Sequence, residues 1–410
     1  MRHSVEFDDF DDAPGSPAKG LCRRMDGYGD SKFMEKLLLH CASALETGDI
    51  TLSQQLMWVL NNYADSEGDC NQRLTHAFLK ALVARATGNP LISEQQPPTL
   101  SVMDLAYSID LTPWYRFGFC VANSAVYEAV RNYTSVHIVD FGVTHCMQYP
   151  TLIDILSKRP RGPPLVKLTV SVSTAFIPPV LNASYDELGL RLLNFARTRH
   201  VPFEFRVITG VENLLVHLRA SRMLGGLKSE EALIVNCQMM LHYVPEETVQ
   251  KTGFGLRDGF LSAVRELEPS LFILVDEDAD LTSTELVDRM RSAMEYFWIP
   301  LDAIETVLPK ACWQRDRYES DIRFKIENVV ACEGLQRVER LETRSRWSER
   351  MRKALFRSFP ASDDMFARAK SVLADHAAGW GVKREDDGLT LTWKGHNAVF
   401  ATIWVPSPCY

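Results

Sequence analysis

Between positions 134 and 278 the hydrophobic pattern repeatedly changes period, and nothing else in the chain restricts its fold as tightly. Short β-branched runs, VHIVDF (136–141), LVKLTVSVS (165–173), PFEFRVI (202–208), ALIVNC (232–237) and SLFILVDED (270–278), alternate with helically spaced segments such as PTLIDILSK, YDELGLRLLNFARTR and GFLSAVRELEP. Strands that are apolar throughout, each followed by a helix, specify a parallel sheet with right-handed crossovers, covered on both faces. The chain closes with GLTLTW (388–393), a Lys394-Gly395-His396-Asn397 turn and AVFATIWV (398–405), which predict a terminal antiparallel hairpin.

Five parallel strands followed by a hairpin predict an α/β fold with a doubly wound, Rossmann-like, mostly parallel sheet, in its methyltransferase-like rather than its dehydrogenase version. Upstream, the spacing is helical. Leu37, Cys41 and Ala44, with Leu38, Ala42 and Leu45, recur every three or four residues, and Gly48 supplies a stop. Leu52, Leu56, Val59, Leu60 and Tyr63 form a second face, and Leu74, Phe78 and Leu82 with Leu79 and Val83 a third. Residues 101–133 complete an N-terminal helical cap spanning 31–133, ahead of a core at 134–410 with a helical insertion at about 279–387 that includes IENVVACEG (326–334). Residues 1–30 are acidic and aperiodic, contain Gly and Pro, and are expected to be disordered.

With 410 residues, 46% of them hydrophobic, the chain has enough apolar material for a substantial core. It has no apolar run near the ~20 residues that cross a bilayer and no secretion-type leader, so a cytosolic or nuclear location and no membrane partner are expected. The nine cysteines stand singly, with no C-x-x-C pair and no Cys/His cluster at zinc spacing, which predicts reduced thiols and no metal site. A net charge of −8 argues against a surface coated with basic patches for nucleic acid, while leaving room for one local patch.

The natural place for a cofactor is beyond the carboxyl end of the first strand, where glycines let a ligand approach the backbone. There the loop after Asp140 offers Gly142 alone, followed by Val143, Thr144, His145, Cys146 and Met147. Strand two ends in Ser171-Val172-Ser173, with no carboxylate for ribose hydroxyls before Asp186. The residues thus predict no bound cofactor and no enzyme. Asp140 is expected to fix the strand-to-helix junction by hydrogen bonding, and Pro150 to start the next helix.

Other catalytic patterns are equally incomplete. Asn236 with His242 resembles a catalytic pair, but a lone histidine after a strand ordinarily packs in the core. Asp276-Glu277-Asp278-Ala279-Asp280 lacks EF-hand spacing and is expected to be a solvated strand end.

Several ordered blocks resemble the GRAS family of plant transcriptional regulators, and within it the SCARECROW-like branch, over about 33–406. Residues 37–85 are similar to its first leucine-rich region; Val136, His137, Ile138, Val139 and Asp140 match its VHIID motif; 185–205 and 232–247 resemble the second leucine-rich region and its sequel. The block 328–356, with Trp347, resembles the junction into the last segment, and Ala401-Thr402-Ile403-Trp404 stands at the terminal Ser-Ala-Trp signature, of which Trp404 survives. His145-Cys146 replace the usual Gln-Gly, Phe324-Lys325 the usual Arg-Glu, and Leu355 the glycine expected after Trp347. No acidic DELLA-type motif is present, so gibberellin-responsive degradation is not implied.

The resemblance implies that 31–410 form one GRAS domain and that the chain is a nuclear regulator of transcription and development, working with other transcription factors and touching DNA. For double-stranded DNA, residues 340–357 are the best candidate, with seven basic residues against Glu342 and Glu349, a net of +5. Arg344, Arg346, Arg350, Arg352 and Lys353 are the proposed contacts. Trp347, Met351 and Leu355 are expected to face the core, and replacing Arg346, Arg350 and Arg352 by Glu is expected to weaken duplex binding at little cost to stability. Lys158-Arg159-Pro160-Arg161 is a second basic site, for nuclear import or simply an exposed turn. Exposed apolar residues at 37–60 or in Leu214-Leu215-Val216-His217-Leu218 would mark partner docking, homodimer and heterodimer both remaining open. The alternative reading is a small-molecule ligand-binding module or methyltransferase that uses the degenerate cofactor site.

Overall fold

A computed structural model of the chain describes residues 28–89, 99–172, 179–225, 231–247 and 256–408. The segment expected to be disordered, 1–30, lies outside these residues except for 28–30, which open the first helix.

Five helices come first: α1 (Tyr28–Thr47), α2 (Ile50–Asn61), α3 (Cys70–Thr87), α4 (Val102–Leu111) and α5 (Pro113–Ala129). Their ends follow local chemistry. Gly48 takes a positive φ of 75° after α1, a conformation that a Cβ would strain. Asp69 and Gln72 form a reciprocal capping box at α3, as Ser101 and Asp104 do at α4. Pro113 splits the helical stretch expected over 101–133 into two helices by starting α5.

The predicted alternation follows: β1 (Ser135–Asp140), α6 (Tyr149–Ser157), β2 (Leu165–Val172), α7 (Tyr185–Thr198), β3 (Phe203–Thr209), α8 (Val211–Gly225), β4 (Glu231–Gln238), α9 (Leu256–Glu266) and β5 (Leu271–Glu277). After it come α10 (Leu286–Glu305), α11 (Trp313–Ala331), α12 (Arg344–Lys353), β6 (Phe356–Ser358), α13 (Asp363–Ser371), β7 (Trp380–Glu385), β8 (Gly388–Trp393) and β9 (His396–Pro406). Among the described residues one sheet runs β3-β2-β1-β4-β5-β9-β8-β7, with β6 paired to β9. The first five strands are parallel, and β9 lies antiparallel against β5, Glu277 opposite Val399. The terminal hairpin is therefore part of a larger antiparallel unit. β7 and β6 escaped the sequence pattern because WGVKRE is half charged and FRS is only three residues long.

Side chains alternate across the sheet with period two. Ile138, Ile234 and Ile273 enter one core beneath α1, α3, α5, α6, α10 and α11, while Val139, Val235 and Phe272 enter the other with residues of α8, α9 and α12. Burial on both faces explains why these strands read as continuous apolar runs. The insertion helices α10 and α11 pack against α1 and α3, so the cap is built from both ends of the sequence.

Three expectations need correction. Leu214, Leu215 and Leu218 are buried in the second core and only Val216 of that segment is strongly exposed, so it is a packing face rather than a docking face. On α2 only Leu60 of the expected apolar face is buried, whereas Ile50, Leu52 and Trp58 are exposed. Asp276 and Glu277 are buried by α5, α11 and the segment after β4 rather than solvated.

Candidate functional site

The corner beyond β1 is filled by the protein's own side chains. Asp140 pairs in register with Asn236 of β4, which places both at the carboxyl edge of the sheet. Asp140 Oδ1 accepts the Gly142 amide at 2.8 Å and Asn236 Nδ2 at 3.3 Å. Asn236 Nδ2 also reaches Gln148 Oε1 at 3.0 Å and the Tyr149 hydroxyl at 3.2 Å, and Gln148 Nε2 donates to Asn123 Oδ1 at 2.8 Å. Gln238 donates to Gln148 and closes the network.

Each group here is buried, and each has a protein partner where a ligand's hydroxyls or phosphates would bind. Burial pushes the Asp140 carboxyl up to about 6, against opposing bonds from Gly142, Tyr149 and Asn236. A Cβ on Gly142 would stand 2.9 Å from Asp140 Oδ1 and 3.4 Å from the Gln238 carbonyl. The loop's single glycine thus serves the close approach of the chain's own carboxylate. Past it, His145 and Cys146 hold positive φ values of 48° and 65°, and His145 Nε2 lies 2.7 Å from the Pro179 carbonyl. As expected, Asp140 fixes the junction, and Pro150 stands in the first turn of α6.

The other motif residues are structural as well. Val136 and Ile138 enter one core and Val139 the other. His137 Nε2 lies 2.9 Å from Thr169 Oγ1 on β2, and burial lowers its pKa to about 4. Trp347 is buried with the Arg257 guanidinium 5.2 Å from its ring centroid, and Trp404 Nε1 donates to Thr402 Oγ1 at 2.9 Å.

Asn236 and His242 belong to different networks and form no pair. His242 Nδ1 lies 2.7 Å from Asp276 Oδ1, beside an ionic group that the sequence did not foretell. Lys325 of α11 reaches Glu277 Oε2 at 3.0 Å, and Trp114 Nε1 donates to Glu277 Oε1 at 3.1 Å. Burial opposes charge on Lys325, but Glu277 and Glu339 outweigh it and hold its pKa well above the ordinary lysine value. A glutamate at 325, as the family resemblance led one to expect, would face those two carboxylates instead. Among the described residues, no group of three His, Cys, Asp or Glu is placed to hold a metal ion.

The basic segment forms α12, and its cations are largely occupied. Arg350 is buried and grips Glu342 in bidentate fashion, at 2.7 and 2.8 Å, while also meeting Asp258 at 2.7 Å and Glu247. Arg344 pairs with Asp387 and Glu385, and Arg346 with Asp280 at 3.1 Å. Arg340 is buried against Glu246 at 2.5 Å. Arg352 and Lys353 project furthest, with side chains 61% and 70% exposed, near Asp387 at 3.8 Å and Glu349 at 2.8 Å. Trp347 and Met351 do face the core, but Leu355 is exposed and carries a φ of 62°, so it caps the helix end instead. The expectation that Arg346, Arg350 and Arg352 can be replaced at little cost to stability conflicts with the place of Arg350, whose loss removes the bidentate partner of the buried Glu342 and leaves it only the contact to Arg257 at 3.2 Å and a longer one to Arg346 at 3.6 Å. In the second basic site Lys158 pairs with Asp154 at 2.6 Å, and Arg159 donates to the Val130 and Tyr133 carbonyls.

Known proteins resemble the chain over most of its length. The GRAS domain family model matches residues 34–405. Scarecrow-like protein 32 of Arabidopsis thaliana is 49% identical over 397 residues, covering 93% of this chain and 95% of that one. Scarecrow-like transcription factor PAT1 of Arabidopsis thaliana is 28% identical over 90% of this chain and 75% of its own length. The crystal structure of SCL7 in Oryza sativa superposes with a TM-score of 0.76 at 24% identity, over 90% of this chain and 99% of that one, and shares its fold.

Proposed function

From the premise that the chain belongs to the GRAS domain family, in its Scarecrow-like branch, we propose that it is a plant transcription regulator that acts in the nucleus through contacts with other transcription factors. The observation that supports this reading is the filled corner beyond β1, where Asn236 binds Asp140, Gln148 and Tyr149 at the strand ends at which doubly wound enzymes take up their ligands. Action then falls to the surface. Ile50, Leu52 and Trp58 of α2 offer exposed apolar area to a partner. Duplex DNA is a secondary contact, made by Arg346, Arg352 and Lys353 at the exposed face of α12, with Arg344 and Arg350 holding the helix in place.

A reporter assay in plant protoplasts, with the chain fused to a fluorescent protein, tests the reading. Nuclear fluorescence with altered reporter expression supports it, and exclusion from the nucleus or an inert reporter overturns it. A gel-shift titration tests the DNA contact: replacing Arg352 and Lys353 by Glu weakens duplex binding and flattens its salt dependence. Unchanged binding removes α12 from the interface.

A further inference from the structure

We propose that the cavity between the helical cap and the carboxyl ends of β4 and β5 binds a neutral or cationic single-ring molecule carrying a hydroxyl or amine group. It adjoins the closed corner after β1, whose Val143 forms part of its wall, but does not include Asp140, Gln148 or Asn236. The cavity measures about 130 Å³ and is walled by Leu105, Ile109, Tyr115, Phe297 and Ile322. That is close to the roughly 150 Å³ of an engineered apolar cavity that takes up benzene. Asp321, also at its wall, is exposed and Ser108 is half-buried, so the space communicates with solvent.

Its floor holds two buried polar atoms without hydrogen-bond partners, Glu339 Oε2 and His242 Nε2, 3.8 Å apart. Lys325 Nζ stands 3.9 Å from the same Glu339 oxygen. All these gaps exceed hydrogen-bond reach; the Tyr296 hydroxyl at the wall is likewise without a partner, whereas Tyr243 donates to Glu339 Oε1 at 3.1 Å and Glu277 holds Lys325 and Trp114. Buried polar atoms in folded proteins ordinarily find partners, and two orphans facing one space point to a group that enters it.

The chemistry of that group follows from His242 and Glu339. The His242 Nδ1 lies 2.7 Å from the Asp276 carboxylate, an acceptor, so the ring carries a proton at Nδ1 and turns Nε2 toward the cavity. Glu339 Oε2, a carboxylate oxygen, accepts, so the ligand must bring a donor. Three carboxylates, Glu277, Asp321 and Glu339, against two cations, Arg317 and Lys325, make the lining net negative and disfavour an anion. An aromatic ring against the apolar wall, with a hydroxyl or amine between Glu339 and His242, meets every demand.

Saturation-transfer NMR on the full chain with benzyl alcohol, benzylamine and benzoate tests the proposal, with thermal melts as a check on folding. Benzyl alcohol and benzylamine should bind with dissociation constants on the order of 1 mM, as suits so few atoms, and benzoate at least about tenfold more weakly. Leu105→Phe, which fills the cavity, should abolish binding. Glu339→Gln keeps an acceptor for Tyr243 and should weaken benzylamine roughly tenfold more than benzyl alcohol. If Leu105→Phe does not fold, Glu339→Gln alone decides. Failure of the alcohol and the amine to bind the folded wild type, benzoate binding equal to that of benzylamine, or binding unchanged in Glu339→Gln would overturn the proposal.

Discussion

Asp140 accepts the amide of Gly142, two residues further along, at 2.8 Å, so the acid that ends β1 turns back onto the loop where a cofactor would lie. With Asn236 bridging to Gln148 and Tyr149, a crevice that is open in cofactor-binding sheets becomes a packed polar knot.

The knot should be visible in the pH dependence of stability. Burial raises Asp140 from 3.8 to about 6, so the native state holds this proton more tightly than the unfolded chain. The stability that protonation contributes is present below the unfolded value and lost as the pH rises through about 6, about 3 kcal/mol in all. Urea unfolding of the wild type relative to Asp140→Asn should show about 2 kcal/mol of this loss between pH 4.5 and 7. A difference that does not change with pH contradicts the assignment.

Arg350 separates structural from exposed cations on α12. Arg350→Ala takes the bidentate partner from the fully buried Glu342, which keeps Arg257 at 3.2 Å, and should cost roughly 1.5–3 kcal/mol in denaturant unfolding. The double substitution of Arg352 and Lys353 by Ala should leave the unfolding midpoint unchanged. Equal effects of the two would mean that Arg350 is not held as described.

Leu355 occupies a left-handed position with an exposed side chain, and its carbonyl accepts from Arg265 and Ser407. Leu355→Gly relieves the backbone strain and should stabilise the chain by about 1 kcal/mol, whereas Leu355→Ala, which keeps the Cβ, should not. A lower melting temperature for the glycine variant would contradict this.

The alternating periods made the five parallel strands legible to within about two residues, because strands buried on both faces leave an unbroken apolar record. The knot was legible only as bulky residues after Gly142; its partners Asn123, Asn236 and Gln238 come from other elements, and no local pattern links them. The same holds for α12. Its sequence is strongly basic, but Asp258, Glu247 and Asp387, which neutralise it, are contributed from far along the chain. The missing glycine at Leu355 was readable from the family resemblance, and the structure supplies its cost as a positive φ.

The exposed face of α2 should matter for function and not for folding. Replacing Ile50 and Trp58 together by Glu should leave the melting temperature within about 2 °C of wild type, since both lie on the surface. The same variant should lose most of the wild-type effect in the protoplast reporter. Full reporter activity would place the partner surface elsewhere.

Calorimetric titration of the full chain with S-adenosylmethionine tests most directly whether the corner beyond β1 is closed. The filled knot around Asp140 predicts no saturable heat up to millimolar ligand. One-to-one binding at micromolar concentration, lost in Gly142→Val, would contradict it and restore the enzyme's crevice.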